Sequence, residues 1–495
     1  MIQLKRTRDE FEYEFRALIM AFFHGEKITT KDEEIEGETV HLTIEADLGE
    51  EEIGISFIQN EIPILTLTEK ADLIGERAEY KNQLKILLYQ GLKEITKKEL
   101  PWGTLTGVRP TKQALARLEE GLSKEEILDY FESRFLCSEE KSSLSYDIAK
   151  RELDILHEID YKNGYSIYIG IPFCPTRCLY CSFTAYSVSA YKNYVDSYLE
   201  ALFKEIEYAK DCFAGLKGKK LTSIYIGGGT PTTLDEDQLE RLLIKIRDTF
   251  DFSHVKEYTV EAGRPDSITY EKLRLLKEYE VSRISINPQT MNQQTLDIIG
   301  RHHTVEEIVE AFKMAREIGH DNINMDLIIG LPGEDTKEVE HTIEQMKKLK
   351  PDSLTVHTLA IKRAAYLNMY KEKYQDLTFG DASKMLHLTS EYAKEAGLVP
   401  YYLYRQKNMS DNLENVGYSQ PGKECIYNIL IMEEKQTIVA LGAGASSKFV
   451  FLEEGRIERV ENVKDVKEYV TRIDEMIDRK RSFIKREYYG GRDQG

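Results

Sequence analysis

The chain has 495 residues and a formal net charge of −19, long enough for two or three cores and too acidic for nonspecific attachment to nucleic acid or anionic membrane. Its longest apolar runs, such as "ALIMAFF" at 17–23, fall far short of the roughly 20 residues of a membrane span, and "MIQLKRTRDEFEYEF" lacks the apolar stretch of a secretory signal, so a cytoplasmic location is expected. Six cysteines, three of them within eight positions, exclude a disulfide framework and favour thiolate ligands or redox chemistry in a reducing compartment. Cys137, Cys212 and Cys425 are isolated and read as small buried hydrophobes.

In chain order, residues 1–160 read as an α+β extension. A helix near 7–23 precedes two alternating runs, "TVHLTIEADL" and "IGISFIQNEIPILTL", and a charged helix over about 71–98. "PWGTLTGVRPTK" carries the only tryptophan, Trp102, and leads into helices near 111–120, 123–133 and 138–160. From Tyr165 the pattern changes to short β-branched or aromatic runs: "YSIYIGI", "LTSIYIG", "EYTVEA", "SRISIN", "NINMDLIIG" and "SLTVHTLA". Between them, "YEKLRLLKEYE" and "VEEIVEAFKMAREIG" space apolar residues three and four apart, as helices on a sheet do. Six strand–helix units over 161–365 predict an α/β core with a parallel sheet, an open (β/α)6 version of the TIM-like barrel, whose chemistry belongs at the C-terminal strand ends. Residues 366–495 break the rhythm and read as a smaller C-terminal domain: helices in "YLNMYKEKYQ" and "FGDASKMLHLTSEYAKEAG", strands in "VPYYLYRQKN" and "QTIVALGAGASSKFVF", and a charged helical tail.

Cys174, Cys178 and Cys181 are spaced C-x3-C-x2-C on the loop after the first of these strands. Structural zinc normally takes four ligands in paired units, and no second pair exists here. Unliganded thiols so crowded would invite oxidation. An iron–sulfur cluster is the better reading: a [4Fe-4S] cubane usually takes four cysteines, so three leave one iron open to a small molecule.

The C-x3-C-x-aromatic-C loop after strand one of a six-unit βα domain resembles the radical S-adenosylmethionine superfamily. Within it, residues 165–450 resemble the oxygen-independent coproporphyrinogen III oxidase group, in particular its HemZ-type coproporphyrinogen dehydrogenases with a long N-terminal extension. The resemblance implies a [4Fe-4S] cluster on the three cysteines and one or two molecules of S-adenosylmethionine, the first chelating the open iron. It implies S-adenosylmethionine contacts from Tyr168 and Tyr180, and from Gly228, Gly229 and Thr230 in "IYIGGGTPTTL". Polar contacts to ribose and methionine carboxylate are implied for Glu261, Gln289, Arg301 and Asp326, and a small-residue contact for Ala360. "ALGAGASSKF" resembles a later glycine turn closing over the site. The glycine run lacks both G-x-G-x-x-G spacing and a P-loop lysine, which argues against nucleoside triphosphate.

The activity so implied is oxidative decarboxylation of two propionates of coproporphyrinogen III to the vinyls of protoporphyrinogen IX, in haem biosynthesis. The implied partners are the tetrapyrrole and reduced flavodoxin or ferredoxin as electron donor, with no nucleic acid and no membrane span. Two departures stand out: Gly170 replaces the histidine of the better-known oxidases, and Ser182 and Phe183 follow Cys181 where they carry a further cysteine. That C-x3-C-x-Y-C-x-F pattern is shared with haem-carrying relatives. The alternatives are therefore a haem chaperone, with His302, His303 or His357 as axial ligand, and a haem-degrading methyltransferase of the same superfamily. For an oxidase, Arg109 in "GVRPTK" and Arg405 in "YLYRQKN" are the expected partners of the substrate's four carboxylates.

Overall fold

The structure is a computed structural model describing residues 1–30, 39–107, 109–182, 185–214, 218–359, 380–405 and 413–489. The chain divides into two compact units, Met1–Lys150 with Leu403–Asn415, and Arg151–Tyr402 with Val416–Gly495. The residues expected as a separate C-terminal domain are thus shared between the two, and 416–495 group with the barrel strands.

In the first unit, β1 (Ile2–Arg6), β2 (Ile28–Thr29), β3 (Leu42–Leu48), β4 (Glu52–Gln59) and β5 (Ile62–Lys70) form a sheet of order β2-β1-β3-β4-β5. The run 53–67 is two strands rather than one. Asn60 and Glu61 both take positive φ, 49° and 65°, as the tightest hairpin turns require. Alternate residues of β3 and β4, including Ile44, Leu48, Ile53, Ile55 and Phe57, are buried in one core with Phe15 and Ile19 of the helix Glu12–Phe22 and Leu84, Leu88 and Leu92 of the helix Arg77–Thr96. That second helix starts later than its charge pattern suggests. Asp72 accepts the amides of Ile74 and Gly75, an Asx-type turn that competes with helix. Trp102 is fully buried; its Nε1 donates to Glu414 at 2.7 Å, and Glu414 also pairs with Lys141 at 2.6 Å.

The second unit holds the expected parallel sheet. β6 (Gly164–Ile171) is followed by the short pair β7 (Phe173–Cys174) and β8 (Tyr186–Ser187). β9 (Lys220–Gly228), β10 (Glu257–Gly263), β11 (Arg283–Ile286), β12 (Ile323–Ile329) and β13 (Ser353–Thr358) complete the six predicted strands. They are joined by helices such as Glu236–Thr249, Val305–Ile318 and Thr336–Leu349, whose N-termini carry capping boxes at Asp235, Thr304 and Asp335. Each box satisfies amide donors that the first turn leaves unpaired. β14 (Val399–Tyr404), β15 (Asn415–Ser419), β16 (Thr437–Leu441), β17 (Ser446–Phe451) and β18 (Arg456–Glu461) follow, and the sheet runs β14-β15-β13-β12-β11-β10-β9-β6-β16-β17-β18.

β16 pairs with β6 in parallel, Thr437 opposite Tyr165 through Leu441 opposite Ile169. Among the described residues it is thus a seventh parallel strand, contributed from outside the six units. Gln436 seats it: Nε2 donates to Ser166 Oγ at 2.8 Å and Thr222 Oγ1 at 2.7 Å. A polar group buried at a strand root must find partners, and those partners fix where β16 enters.

Candidate functional site

β6 delivers its C-terminal end to the cysteine loop. The glycine turn after β9 grips the start of that loop: Gly229 N donates to Ile171 O at 2.8 Å, Thr230 N to Phe173 O at 2.7 Å, and Thr230 Oγ1 to Cys174 Sγ at 3.5 Å. Further on, Thr176 Oγ1 donates to Gly300 O at 3.1 Å and Leu179 N to Ile299 O at 2.9 Å. The loop is held by two different strand–helix connections. Gly228 has φ 104°, and a Cβ on Gly229 would lie 2.5 Å from Phe173 O. The first needs glycine for its backbone conformation. The second needs it because the loop passes too close for a side chain.

Cys178 is buried, while Cys174 and Cys181 are half-buried. Burial pushes the Cys174 thiol up to about 11, so its thiolate needs a positive centre beside it. Among the described residues no three His, Cys, Asp or Glu side chains gather as ligands of a single metal ion. A cubane makes no such demand, because each thiolate binds a different iron. Three cysteines on one pinned loop are the donor set such a cluster takes.

Three of the polar residues expected around S-adenosylmethionine lie on or just after successive strands, Glu261 near the end of β10, Gln289 after β11 and Asp326 at the middle of β12. Glu261 in β10 accepts from Tyr225 Oη at 2.5 Å. Burial raises its carboxyl to about 7, with the Asp326 charge adding to the rise and Tyr225 opposing it. Gln289, after β11, has φ 68°. Its amide donates to Asp326 O and its carbonyl accepts from Ile328 N, both at 2.9 Å, which keeps an unfavourable backbone conformation in place. Asp326 accepts from Asn324 Nδ2 at 2.7 Å and lies 3.8 Å from His357 Nε2. Burial raises its carboxyl, but His357 and Asn324 outweigh that and hold it below the ordinary value.

Arg301 is 5% exposed. It donates to Asn287 O, and to Tyr180 Oη at 3.3 Å. Its Nε, together with Gln289 Oε1 and Asn287 Oδ1, is buried with no hydrogen-bond partner. Buried polar atoms are rarely left so. A guanidinium and an amide oxygen with spare capacity suit a ligand bearing carboxylate and hydroxyl groups, which S-adenosylmethionine has. The expected residues therefore fall into contacting sets, Tyr168 with the Gly228 turn, Thr230 with Cys174, Gln289 with Asp326, and Arg301 with Tyr180. Ala360 lies outside the described residues.

Four participants escape the sequence reading. Tyr168 stacks with Tyr225 at 6.2 Å and Tyr427 at 6.1 Å between ring centroids, and Tyr225 stacks with Tyr427 at 4.4 Å. Tyr225 was findable, two residues before Gly227 and hence on its face of β9. Tyr427 was not: it is seated by Glu257, which accepts the amides of Ile426 at 2.6 Å and Tyr427 at 3.2 Å at the start of the helix Ile426–Glu433. In the turn after β10, Arg264 touches the cysteine loop and pairs with Asp266. Of the histidines weighed as haem ligands, His303 is fully buried with Nδ1 3.8 Å from Asp266, His357 faces Asp326, and His302 is exposed. Arg405 does not offer itself to a substrate. It is 4% exposed, donates to Leu105 O at 2.6 Å and lies over the Trp102 ring at 5.4 Å within the first unit.

Among the described residues no helix is long and apolar enough to cross a membrane. Residues 168–346 match the family model of the radical SAM superfamily. The chain is 46% identical over 386 residues to the oxygen-independent coproporphyrinogen-III oxidase-like protein HemZ of Bacillus subtilis (strain 168), covering 78% of this chain and 77% of that protein. It is 33% identical over 315 residues to the heme chaperone HemW of the same organism, covering 63% of this chain and 76% of that protein. Among solved structures it is similar to coproporphyrinogen III oxidase HemN of Escherichia coli, a radical SAM enzyme, with a TM-score of 0.52, 24% identity, and coverage of 66% of this chain and 73% of that one. That likeness shows the fold.

Proposed function

The chain belongs to the radical S-adenosylmethionine superfamily and, within it, to the family of oxygen-independent coproporphyrinogen III oxidase-like proteins, and from that premise we propose that it oxidatively decarboxylates two propionates of coproporphyrinogen III to give protoporphyrinogen IX. When bound, the [4Fe-4S] cluster and S-adenosylmethionine supply one-electron cleavage of the sulfonium and a hydrogen-abstracting 5′-deoxyadenosyl radical. Everything else falls to the chain. Cys174, Cys178 and Cys181 hold three irons. Gly228, Gly229 and Thr230 let backbone approach the methionine ammonium. Arg301 neutralises the methionine carboxylate, and Glu261, Gln289 and Asp326 take ribose hydroxyls. Tyr168 and Tyr180 exclude water. The proposed chemistry converts each propionate to a vinyl by removing a β-hydrogen, carbon dioxide and one electron, the electron passing to a one-electron acceptor, with reduced flavodoxin or ferredoxin as the proposed source of the electron that cleaves S-adenosylmethionine.

The observation that carries this reading over haem carriage is the fate of the histidines. His303 is fully buried, with both ring nitrogens lacking a hydrogen-bond partner and Nδ1 3.8 Å from Asp266, and His357 lies 3.8 Å from Asp326, so these two are withdrawn from a haem iron and only His302 of the three is exposed. Anaerobically reconstituted protein, given S-adenosylmethionine, reductant and coproporphyrinogen III, is expected to release protoporphyrinogen IX. Stoichiometric haem binding without vinyl product would assign the chaperone role instead. About four irons and sulfides per chain are expected, and loss of the cluster in each of C174A, C178A and C181A.

A further inference from the structure

Arg264 is the residue after β10 and is 3% exposed. A permanently charged guanidinium so deep demands partners. One face of its fork is closed by Asp266, with Nε to Oδ1 at 3.0 Å and Nη2 to Oδ2 at 2.7 Å, a bidentate pair that fixes its plane. The remaining nitrogen, Nη1, reaches the cysteine loop: Thr176 O at 3.1 Å, Thr176 Oγ1 at 2.7 Å, and Cys178 Sγ at 3.8 Å. Thr176 in turn donates to Gly300 O at 3.1 Å. The carboxylate of Asp266 also faces His303, 3.8 Å away.

We infer that Arg264 is a positioning residue for the cluster, which clamps the loop at Thr176 and donates to the Cys178 sulfur, so favouring the reduced cluster, while Asp266 sets the strength of that donation. The inference rests on Cys178 being an iron ligand. Reduction adds one negative charge to the cluster and its thiolates. A fixed positive donor on a ligand sulfur favours the more negative state, as hydrogen bonds to cluster sulfurs do generally. Removing the guanidinium charge therefore makes reduction harder. Stripping its counter-charge does the reverse.

The test is a mediated redox titration of the full reconstituted chain, followed by the electron paramagnetic resonance signal of the reduced cluster, with iron content measured alongside. R264Q is expected to lower the electron affinity about tenfold, which for a one-electron couple is about 59 mV. R264K should recover most of that shift. D266N should move the midpoint the opposite way, and it carries the test if R264Q does not load a cluster. T176V, which keeps every charge, should leave the midpoint unchanged but lose iron faster to a chelator. Wild-type midpoints in both R264Q and D266N would overturn the inference, because a merely structural arginine does not move them in opposite directions. Full iron retention in C178A would instead overturn the ligand assignment on which it rests.

Discussion

A fully buried ion pair holds the seventh strand's glycine turn, and its removal gives a prediction with a definite size. Glu205, on the helix Val188–Ala214, and Lys480, on the helix Ile473–Ile484, are both 0% exposed and 2.7 Å apart. The carboxylate also accepts from Gly442 N at 2.8 Å, Tyr469 Oη at 2.6 Å and Asn462 Nδ2 at 2.8 Å, and Lys480 Nζ donates to Asn462 Oδ1 at 2.6 Å. Either K480M or E205L leaves one buried charge uncompensated, a loss of about 3–5 kcal/mol. The singles sum to about 6–10 kcal/mol. In the double variant no charge is stranded; Asn462 Nδ2 keeps Gly442 O, and the groups left without a partner are Gly442 N, Tyr469 Oη and Asn462 Oδ1, about 1–3 kcal/mol each.

Because a two-unit chain does not unfold in one step, the readout is local: hydrogen exchange of amides 437–445, measured by mass spectrometry. The double variant should lose less protection than the two singles together. Additive losses, or singles indistinguishable from wild type, would refute the reasoning. The consequence reaches the cysteine loop. Tyr198 Oη donates to Gly170 O at 2.6 Å and accepts from Ala443 N at 3.1 Å, so both singles are also expected to retain less iron.

Glu261 ties stability to pH. Its folded carboxyl sits near 7 against an ordinary 4.5, so the folded state holds the extra proton and stability falls as pH rises from about 4.5 to 7, by roughly 3 kcal/mol; E261Q should flatten that slope in hydrogen-exchange protection of amides 257–263, corrected for intrinsic rates, at several pH values. R405M should destabilise the first unit by about 1–3 kcal/mol through its lost contacts to Leu105 and Trp102, yet leave the KM for tetrapyrrole unchanged. G229A, whose Cβ would meet Phe173 O at 2.5 Å, should displace the start of the cysteine loop and lower iron content while hydrogen exchange in 42–70 stays at wild-type rates.

The sequence discloses structure here wherever one local period decides it. "YSIYIGI" and "LTSIYIG" are apolar without alternation, as strands covered on both faces must be, and β6 and β9 follow them within a residue or two. The run 53–67 misleads because both strands of its hairpin carry the same alternation and neither Asn60 nor Glu61 is a glycine. β16 is legible as a strand, but its place beside β6 depends on Gln436 finding Ser166 and Thr222, partners 270 and 214 residues away. Arg405 shows the same limit in a charged residue. In sequence it stands in a basic loop; in the fold its guanidinium is enclosed by a carbonyl 300 residues distant and the Trp102 ring. Arg264 sits where a strand end meets the cysteine loop, yet "EAGRPD" gives no sign that the guanidinium turns inward. Asp266, two residues on, takes one face of the fork and leaves Nη1 for Thr176 and Cys178. A charge's role depends on which face its neighbours leave open, and only the folded chain determines that.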